Sequence, residues 1–313
     1  MFFSGLCMVS PEMINLDGLR SLYAQTAPLY EEEIVPVFAP LADDLARWIV
    51  DCAAARLNYS LYDAFDVESV TNSPPRLRAL HALDIGTGTG LLARRLAATL
   101  TTVYGVDLSL PMLKTARRFS PGNVRFFQAD LHQLPLRRGT VQIVASNFGL
   151  NASEPKRSLR TLAGLLRRGE GMLAFQEWGA EDELSRLVDQ VIEKYVPEEV
   201  PSLDDALREY YAAPKPWYDQ LQDVEDFYEL LKAVGFDLVW VREAPFVKVH
   251  VHSADIFLRY KLAWPMRRLS IAAMPPAIRA DFDADLHEQV RAFTNPDGSL
   301  DWSPPLFRVF ATM

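Results

Sequence analysis

Cysteine is scarce in this sequence, and long apolar runs are missing from it. The 313 residues include two cysteines, Cys7 and Cys52, and no CxxC motif. Two cysteines cannot build a disulfide framework, so we expect neither a disulfide-stabilised domain nor a metal site. No apolar run approaches the ~20 residues that a membrane span requires. These absences are typical of a globular protein without a membrane span.

A basic leader and an excess of positive charge are also lacking. The first six residues are apolar but carry no basic leader, so we expect no signal peptide and a soluble, cytoplasmic protein. Lysine and arginine number 32 against 41 aspartates and glutamates, a net charge of −9. Because nucleic-acid binders usually carry a basic stripe, we expect no nucleic-acid partner.

The most informative stretch is the glycine-rich segment 83–90, Leu-Asp-Ile-Gly-Thr-Gly-Thr-Gly. An apolar run leads into it and a helical pattern follows it, which predicts a strand, a tight turn and a helix. Such a turn lets a ligand approach the backbone beside a helix N-terminus. Strands predicted near 102–107, 124–128, 141–146 and 171–177 then alternate with helices. This alternation predicts a doubly wound α/β fold with ligands at the carboxyl ends of its strands.

Two positions in the glycine-rich segment distinguish between ligand classes. A dinucleotide fingerprint needs a glycine three residues after its second glycine, and counting from Gly88 that position is Leu91. Asp84, two residues before Gly86, would place a carboxylate against a pyrophosphate, which is unfavourable. S-adenosylmethionine carries a sulfonium and an amino group and no phosphate, so the same carboxylate favours it.

Two further acids end the next two predicted strands. Asp107 lies 23 residues after Asp84, where a carboxylate can accept both hydroxyls of an adenosine ribose. Asp130 follows after another 23 residues and is placed to accept a hydrogen bond from the adenine amine. Three acids at successive strand ends therefore predict S-adenosylmethionine as cofactor and S-adenosylhomocysteine as product.

Residues 79–178 resemble the core of class I S-adenosylmethionine-dependent methyltransferases. They are most similar to the ubiquinone/menaquinone-biosynthesis group of small-molecule enzymes, the methyltransferase type 11 group. Segment 83–90 matches the first family motif and segment 106–112 the acidic second motif. Segment 128–135 resembles the third motif, and 141–148 resembles the fourth strand.

The resemblance implies a Rossmann-like fold around a seven-stranded, mostly parallel sheet. Residues 1–78 would form an N-terminal helical lid and linker, and residues 79–178 the cofactor-binding core. Residues 179–313 would add helical insertions that cap the substrate site, together with the closing antiparallel strands of the same sheet.

The resemblance also assigns roles to single residues. The first motif would hold the amino-acid portion of the cofactor, the second its ribose and adenine, the third the adenine edge, and the fourth strand the sulfonium. Tyr23 and Tyr30 would close a lid, although both could equally be core anchors. The residues implied to contact the cofactor are Tyr23, Tyr30, Asp84, Gly86, Thr87, Gly88, Gly90, Asp107, Leu108, Met112, Asp130, Leu131, Asn147 and Phe148.

A general base matters only if the acceptor atom is protonated. His250 and His252 alternate with valines in an extended run, so both face one side. His132 follows Asp130 near the expected cofactor rim. We take these three histidines as candidate bases. The alternative for His250 and His252 is that both are simply exposed residues on one face of a strand. Four aromatic residues would line a substrate pocket or pack a helical cap: Tyr210, Tyr211, Trp217 and Tyr218.

The expected function is methyl transfer to the oxygen, nitrogen or carbon of a small-molecule acceptor. The segment after the fourth strand, 147–150, lacks the Asn/Asp-Pro-Pro-aromatic motif of enzymes that methylate planar amides and adenine amines. Two alternatives stay open, a catalytically silent binding or assembly protein with this fold and an NAD(P)-dependent oxidoreductase. Asp84 and Leu91 argue against the oxidoreductase. A homodimer is also left open.

Overall fold

A seven-stranded sheet lies at the centre of the fold. The computed structural model describes residues 15–57, 75–196, 200 and 202–313. The strands are β1 (His81–Ile85), β2 (Thr102–Asp107), β3 (Val124–Gln128), β4 (Ile143–Asn147), β5 (Met172–Trp178), β6 (Leu238–Ala244), β7 (Val249–Val251), β8 (Leu300–Trp302) and β9 (Leu306–Thr312). The central sheet has the order β3-β2-β1-β4-β5-β9-β6, and β7 pairs with β8 in a separate two-stranded sheet.

The strand directions confirm the predicted doubly wound, mostly parallel sheet. Strands β1 to β5 pair in parallel, and β9 runs antiparallel between β5 and β6. The strand order reverses between β1 and β4, which opens a crevice at the carboxyl ends of the strands. The closing antiparallel pair expected from the C-terminal segment is β6 with β9.

Thirteen helices flank or cover the sheet within the described residues. They are α1 (Leu16–Leu29), α2 (Val35–Arg56), α3 (Pro75–Arg78), α4 (Leu91–Leu96), α5 (Leu110–Phe119), α6 (Pro155–Leu165), α7 (Glu183–Tyr195), α8 (Asp205–Ala212), α9 (Pro216–Gln220), α10 (Val224–Val234), α11 (Ala254–Leu262), α12 (Pro265–Ala273) and α13 (Pro276–Arg291). A π-helical turn, Tyr30–Ile34, joins α1 to α2. Among these helices none has the length and apolarity to cross a membrane.

The helix ends follow local signals in the sequence. Ser109 caps α5 by accepting a hydrogen bond from the Met112 amide at 3.5 Å. Gly235 ends α10 with a φ of 108°. Residues 253–272 show one helical pattern in the sequence but form two helices, α11 and α12. The helix breaks because Pro265 begins α12 and holds Trp264 in an extended conformation.

Two apolar layers pack on the faces of the sheet, and a third cluster covers one edge. Helices α2 and α4 cover one face, and α6 and α10 cover the other. Leu19 and Leu22 of α1 pack on Leu207 of α8, over the carboxyl ends of the strands. We call α1, α8, α9, α11 and α12 the cap. The predicted boundaries between the three segments of the chain, at residues 78 and 178, stay a prediction. Residues 58–74, which make up most of the predicted linker, lie outside the described residues.

Candidate functional site

A cavity of about 510 Å³ opens at the carboxyl ends of β1 to β4, beneath the cap. The strand ends and the loops that follow them contribute Ile85, Asp107, Asp130 and Asn147 to its wall. This is the crevice at which the strand order reverses, the usual ligand site of an open α/β sheet.

The glycine turn forms one side of this cavity. Gly86 and Gly88 line it, with φ angles of 62° and 56° that disfavour other residues. A Cβ atom at Gly86 would lie 2.5 Å from the Cα of Gly149, whereas one at Gly88 would meet nothing within 4 Å. Gly86 therefore allows the turn to pack against the loop after β4, and Gly88 leaves the turn open to a ligand.

Asp84 supports the turn from behind. Its carboxylate is 1% exposed, and Oδ2 accepts hydrogen bonds from the Thr87 hydroxyl at 2.6 Å and the Ala93 amide at 3.0 Å. Burial raises the pKa of Asp84 to about 7, although these two hydrogen bonds lower it. Asp84 therefore connects the turn to the first turn of α4.

Three other residues expected at the cofactor also lie behind the wall. The Thr87 hydroxyl donates a hydrogen bond to Asp84. Gly90 packs so close to the Phe126 ring that a Cβ atom at this position would lie 2.9 Å from it. Met112 is fully buried in the first turn of α5. These three residues and Asp84 do not line the cavity, and their contact with the cofactor stays a prediction.

The second and third acids do line the cavity. Asp107 Oδ2 accepts from the Gly88 amide and Oδ1 from the Ser109 amide, both at 2.8 Å. Burial raises the pKa of Asp107, while its backbone hydrogen bonds, that to Ser109 first, lower it. Asp130 Oδ1 accepts from the His132 amide at 2.9 Å, which leaves Oδ2 for a ligand. Leu108 and Leu131 stand beside the two acids on the wall.

The end of β4 contributes Asn147 and Phe148, as predicted. Asn147 Oδ1 accepts from the Gln176 amide group at 2.7 Å, which leaves the Asn147 amide nitrogen free to donate to a ligand. Phe148 has a φ of 61°, the one positive value outside glycine in the described part of the chain. Its ring stacks on Trp178 at 4.1 Å. A strained backbone held by aromatic stacking is typical of a functional position.

The cap closes the cavity with aromatic side chains. Tyr23 and Tyr30 line it from the N-terminal helical segment, which agrees with a lid. Of the four aromatic residues between 210 and 218, Trp217 is a core residue, 1% exposed and 6.0 Å from the Phe175 ring. The other three line the cavity.

Sequence reasoning missed further lining residues. They are Phe38 of α2, Trp178 at the end of β5, and, around the break between α11 and α12, Tyr260, Lys261, Trp264, Met266 and Arg267. The helical pattern over 253–272 carried no signal for this role, because periodicity does not reveal what a helix faces.

One of the three candidate bases reaches the cavity. His132 lines it, and its Nδ1 atom is buried without a hydrogen-bond partner among the residues described. Burial lowers the pKa of His132, and the Arg157 charge lowers it further, so the ring is neutral near pH 7. A neutral imidazole in that position can accept a proton.

His250 and His252 lie outside this cavity, and their assignment as bases stays a prediction. His250 of β7 and His252, one residue beyond that strand, are both exposed, and His250 Nδ1 lies 2.8 Å from Asp301 Oδ1. Val249 and Val251 of the same strand are buried. Because side chains alternate along a strand, the two histidines face solvent and neither lines the cavity.

Comparison with known proteins finds similarity to methyltransferases. Residues 82–169 match the family model of a methyltransferase domain. An uncharacterized methyltransferase of Mycobacterium tuberculosis is 39% identical over 94 residues, 29% of this chain and 47% of that protein. A demethylmenaquinone methyltransferase of Clavibacter sepedonicus is 31% identical over 160 residues, 49% of this chain and 64% of that protein. This chain therefore spans about half the length of the first relative.

Among solved structures, the YcgJ protein of Bacillus subtilis superimposes with a TM-score of 0.46 at 15% identity. The superposition covers 75% of this chain and 92% of that one.

Proposed function

We propose that this chain transfers a methyl group from S-adenosylmethionine to a small-molecule acceptor, at oxygen, nitrogen or carbon, because residues 82–169 match the family model of a methyltransferase domain. One observation carries the proposal. Asp107 lines the cavity with both carboxylate oxygens fixed by backbone amides, next to the open Gly88 turn. A carboxylate held in this way is oriented before a ribose arrives.

The other donors and acceptors on the wall fit the same cofactor. Asp130 offers Oδ2 to an adenine amine, and Leu108 and Leu131 provide apolar surfaces for the ring. Between residues 85 and 153, the described wall contributes these two acids and neither lysine nor arginine. This charge suits a cationic ligand and opposes a pyrophosphate.

S-adenosylmethionine, when bound, supplies an electrophilic methyl group on a positively charged sulfur. The residues of this chain have to align the acceptor and exclude water, effects worth about 7–11 kcal/mol when the geometry is good. Phe148 stacked on Trp178, together with Tyr30 of the π-helical turn, forms an aromatic wall suited to this purpose. If the acceptor atom carries a proton, neutral His132 is the residue placed to accept it.

Isothermal titration with S-adenosylmethionine and S-adenosylhomocysteine tests the proposal. We expect Asp107→Asn to weaken S-adenosylhomocysteine binding at least about 10-fold, because the amide cannot accept from both ribose hydroxyls and both backbone amides. Asp281→Asn, on the exposed side of α13, is the matched control and should bind normally. A folded wild-type protein that binds neither compound contradicts the proposal.

Turnover separates an enzyme from a silent binding protein. The assay incubates the protein with radiolabelled S-adenosylmethionine and fractions of small acidic and neutral metabolites, and follows the label into a small product. Cofactor binding without any labelled product would favour the silent alternative.

A further inference from the structure

The cap side of the cavity carries three cations, Lys215, Lys261 and Arg267, and the last two share one carboxylate. Lys261 and Arg267 both line the cavity, and Asp189 of α7 stands behind them. Lys261 Nζ donates to Asp189 Oδ2 at 2.8 Å, and an Arg267 guanidinium nitrogen lies 3.1 Å from Asp189 Oδ1. Arg267 also donates to the Lys261 carbonyl at 2.9 Å, which holds the two residues together.

The positive charge on this wall is not fully compensated. The Lys261 side chain is 9% exposed, and within the ranges that the structure describes its ammonium donates to Asp189 alone, with further N–H groups to spare. Burial lowers the pKa of Lys261, while the Asp189 carboxylate opposes this effect. Asp182 adds a weaker negative charge near Lys261 and accepts hydrogen bonds from Ser185 and Trp302. Neither acid lines the cavity, so an anion bound at its surface would meet the positive groups directly.

Aromatic rings line the cavity together with Lys261 and Arg267. Tyr211, Tyr260 and Trp264 line the same side of the cavity. Aromatic walls by themselves accept either planar rings or quaternary cations. Lys261 and Arg267 decide between these classes, because two positive groups on the wall repel a cationic amine.

Building on the proposed function, we propose that the methyl acceptor is an aromatic carboxylic acid, whose carboxylate is bound by Lys261 and Arg267 and whose ring packs on the aromatic side chains of the cap. The charges of the cavity agree with this arrangement. Asp107 and Asp130 lie at the strand ends, where the cationic cofactor would bind, and Lys261 and Arg267 lie on the cap side.

Three probes of one shape and different charge test the proposal. The full chain is first titrated with S-adenosylhomocysteine, and then, saturated with it, with naphthalene-2-carboxylate, naphthalene-2-carboxamide and 2-naphthylmethylammonium at pH 7.5. We expect the carboxylate to bind at least 10-fold more tightly than the amide, about 1.4 kcal/mol, and the ammonium compound to bind most weakly. If S-adenosylhomocysteine binds but the carboxylate gains nothing over the amide, the acceptor proposal is wrong and the proposed function stands. If S-adenosylhomocysteine itself does not bind, the proposed function fails, and the acceptor proposal with it.

A variant then assigns the effect to the cations. Lys261→Met should lower carboxylate affinity at least 10-fold and leave the affinity for the amide and for S-adenosylhomocysteine unchanged, since Arg267 still neutralises Asp189. Lys194→Met is the control, because Lys194 is exposed and pairs with Asp285 instead. Unchanged carboxylate affinity in Lys261→Met and in Arg267→Gln overturns the proposal. If Lys261→Met does not fold, Arg267→Gln and the wild-type probe series decide it.

Discussion

Replacing Glu177 by glutamine should remove a large pH-dependent loss of stability. Glu177 lies near the end of β5 and is 0% exposed. Its two carboxylate oxygens accept from the Leu150 amide and from the Asn151 side-chain amide, both at 3.0 Å. Burial raises the pKa of Glu177 from 4.5 to about 8, against the opposing effect of these hydrogen bonds. The residue therefore supports the loop that carries Phe148 into the cavity.

The magnitude follows from the difference between the folded and unfolded pKa values. A carboxyl group with a raised folded pKa binds its proton more tightly in the folded state, so its contribution to stability is fully present below pH 4.5 and is lost as the pH rises through 8. Each pH unit in this window lowers the free energy of unfolding by about 1.4 kcal/mol. Between pH 5 and pH 8 the wild type should lose about 3–4 kcal/mol from Glu177. Glutamine does not titrate and keeps a carbonyl oxygen for Leu150.

Urea unfolding of the wild type and Glu177→Gln at pH 5, 6, 7 and 8 measures this loss. The stability difference between the two proteins should shift by about 3–4 kcal/mol in favour of the variant across this range. Other groups with raised pKa values, such as Asp84, are present in both proteins and cancel. Glu229→Gln, on an exposed position of α10, should follow the wild type. Parallel pH curves for the wild type and Glu177→Gln would refute the reasoning.

Three further changes have specific expected outcomes. Gly149→Ala should cost about 1–3 kcal/mol of unfolding free energy and weaken S-adenosylhomocysteine binding, because its Cβ would clash with the Ile85 carbonyl beneath the glycine turn; normal binding by calorimetry would contradict this. His250→Ala should leave cofactor binding and turnover unchanged, and a tenfold fall in turnover would support the residue as a base. Asp44→Ala should destabilise the protein by about 3 kcal/mol in urea, since the buried Arg308 guanidinium loses a carboxylate 2.7 Å away. Arg308→Met should cost less, because the partly exposed Asp44 can be hydrated, and equal losses would argue against this.

Local sequence patterns predicted much of the fold. The strands expected at 102–107 and 124–128 are found at those residues, because alternation and flanking turns specify a buried strand within a few residues. The same reasoning located Asp107 and Asp130 on the cavity wall. It did not show where His250 and His252 lie, since a period of two shows that both face one side of the strand but not which surface that side meets.

What the sequence alone determined is the strand-end wall of the cavity. The glycine turn and the acids at the ends of β2 and β3 are local features of a parallel sheet, whose strand ends meet at one edge whatever else the chain does. Only the tertiary structure decided the cap side of the cavity. Lys261 and Arg267 lie on α11 and α12, outside the strand–helix alternation that carries the acids. They reach the cavity because α11 packs against α2 and the π-helical turn, while α12 packs with α1. Which face of such a helix looks inward depends on contacts across the whole chain, and no local periodicity encodes it.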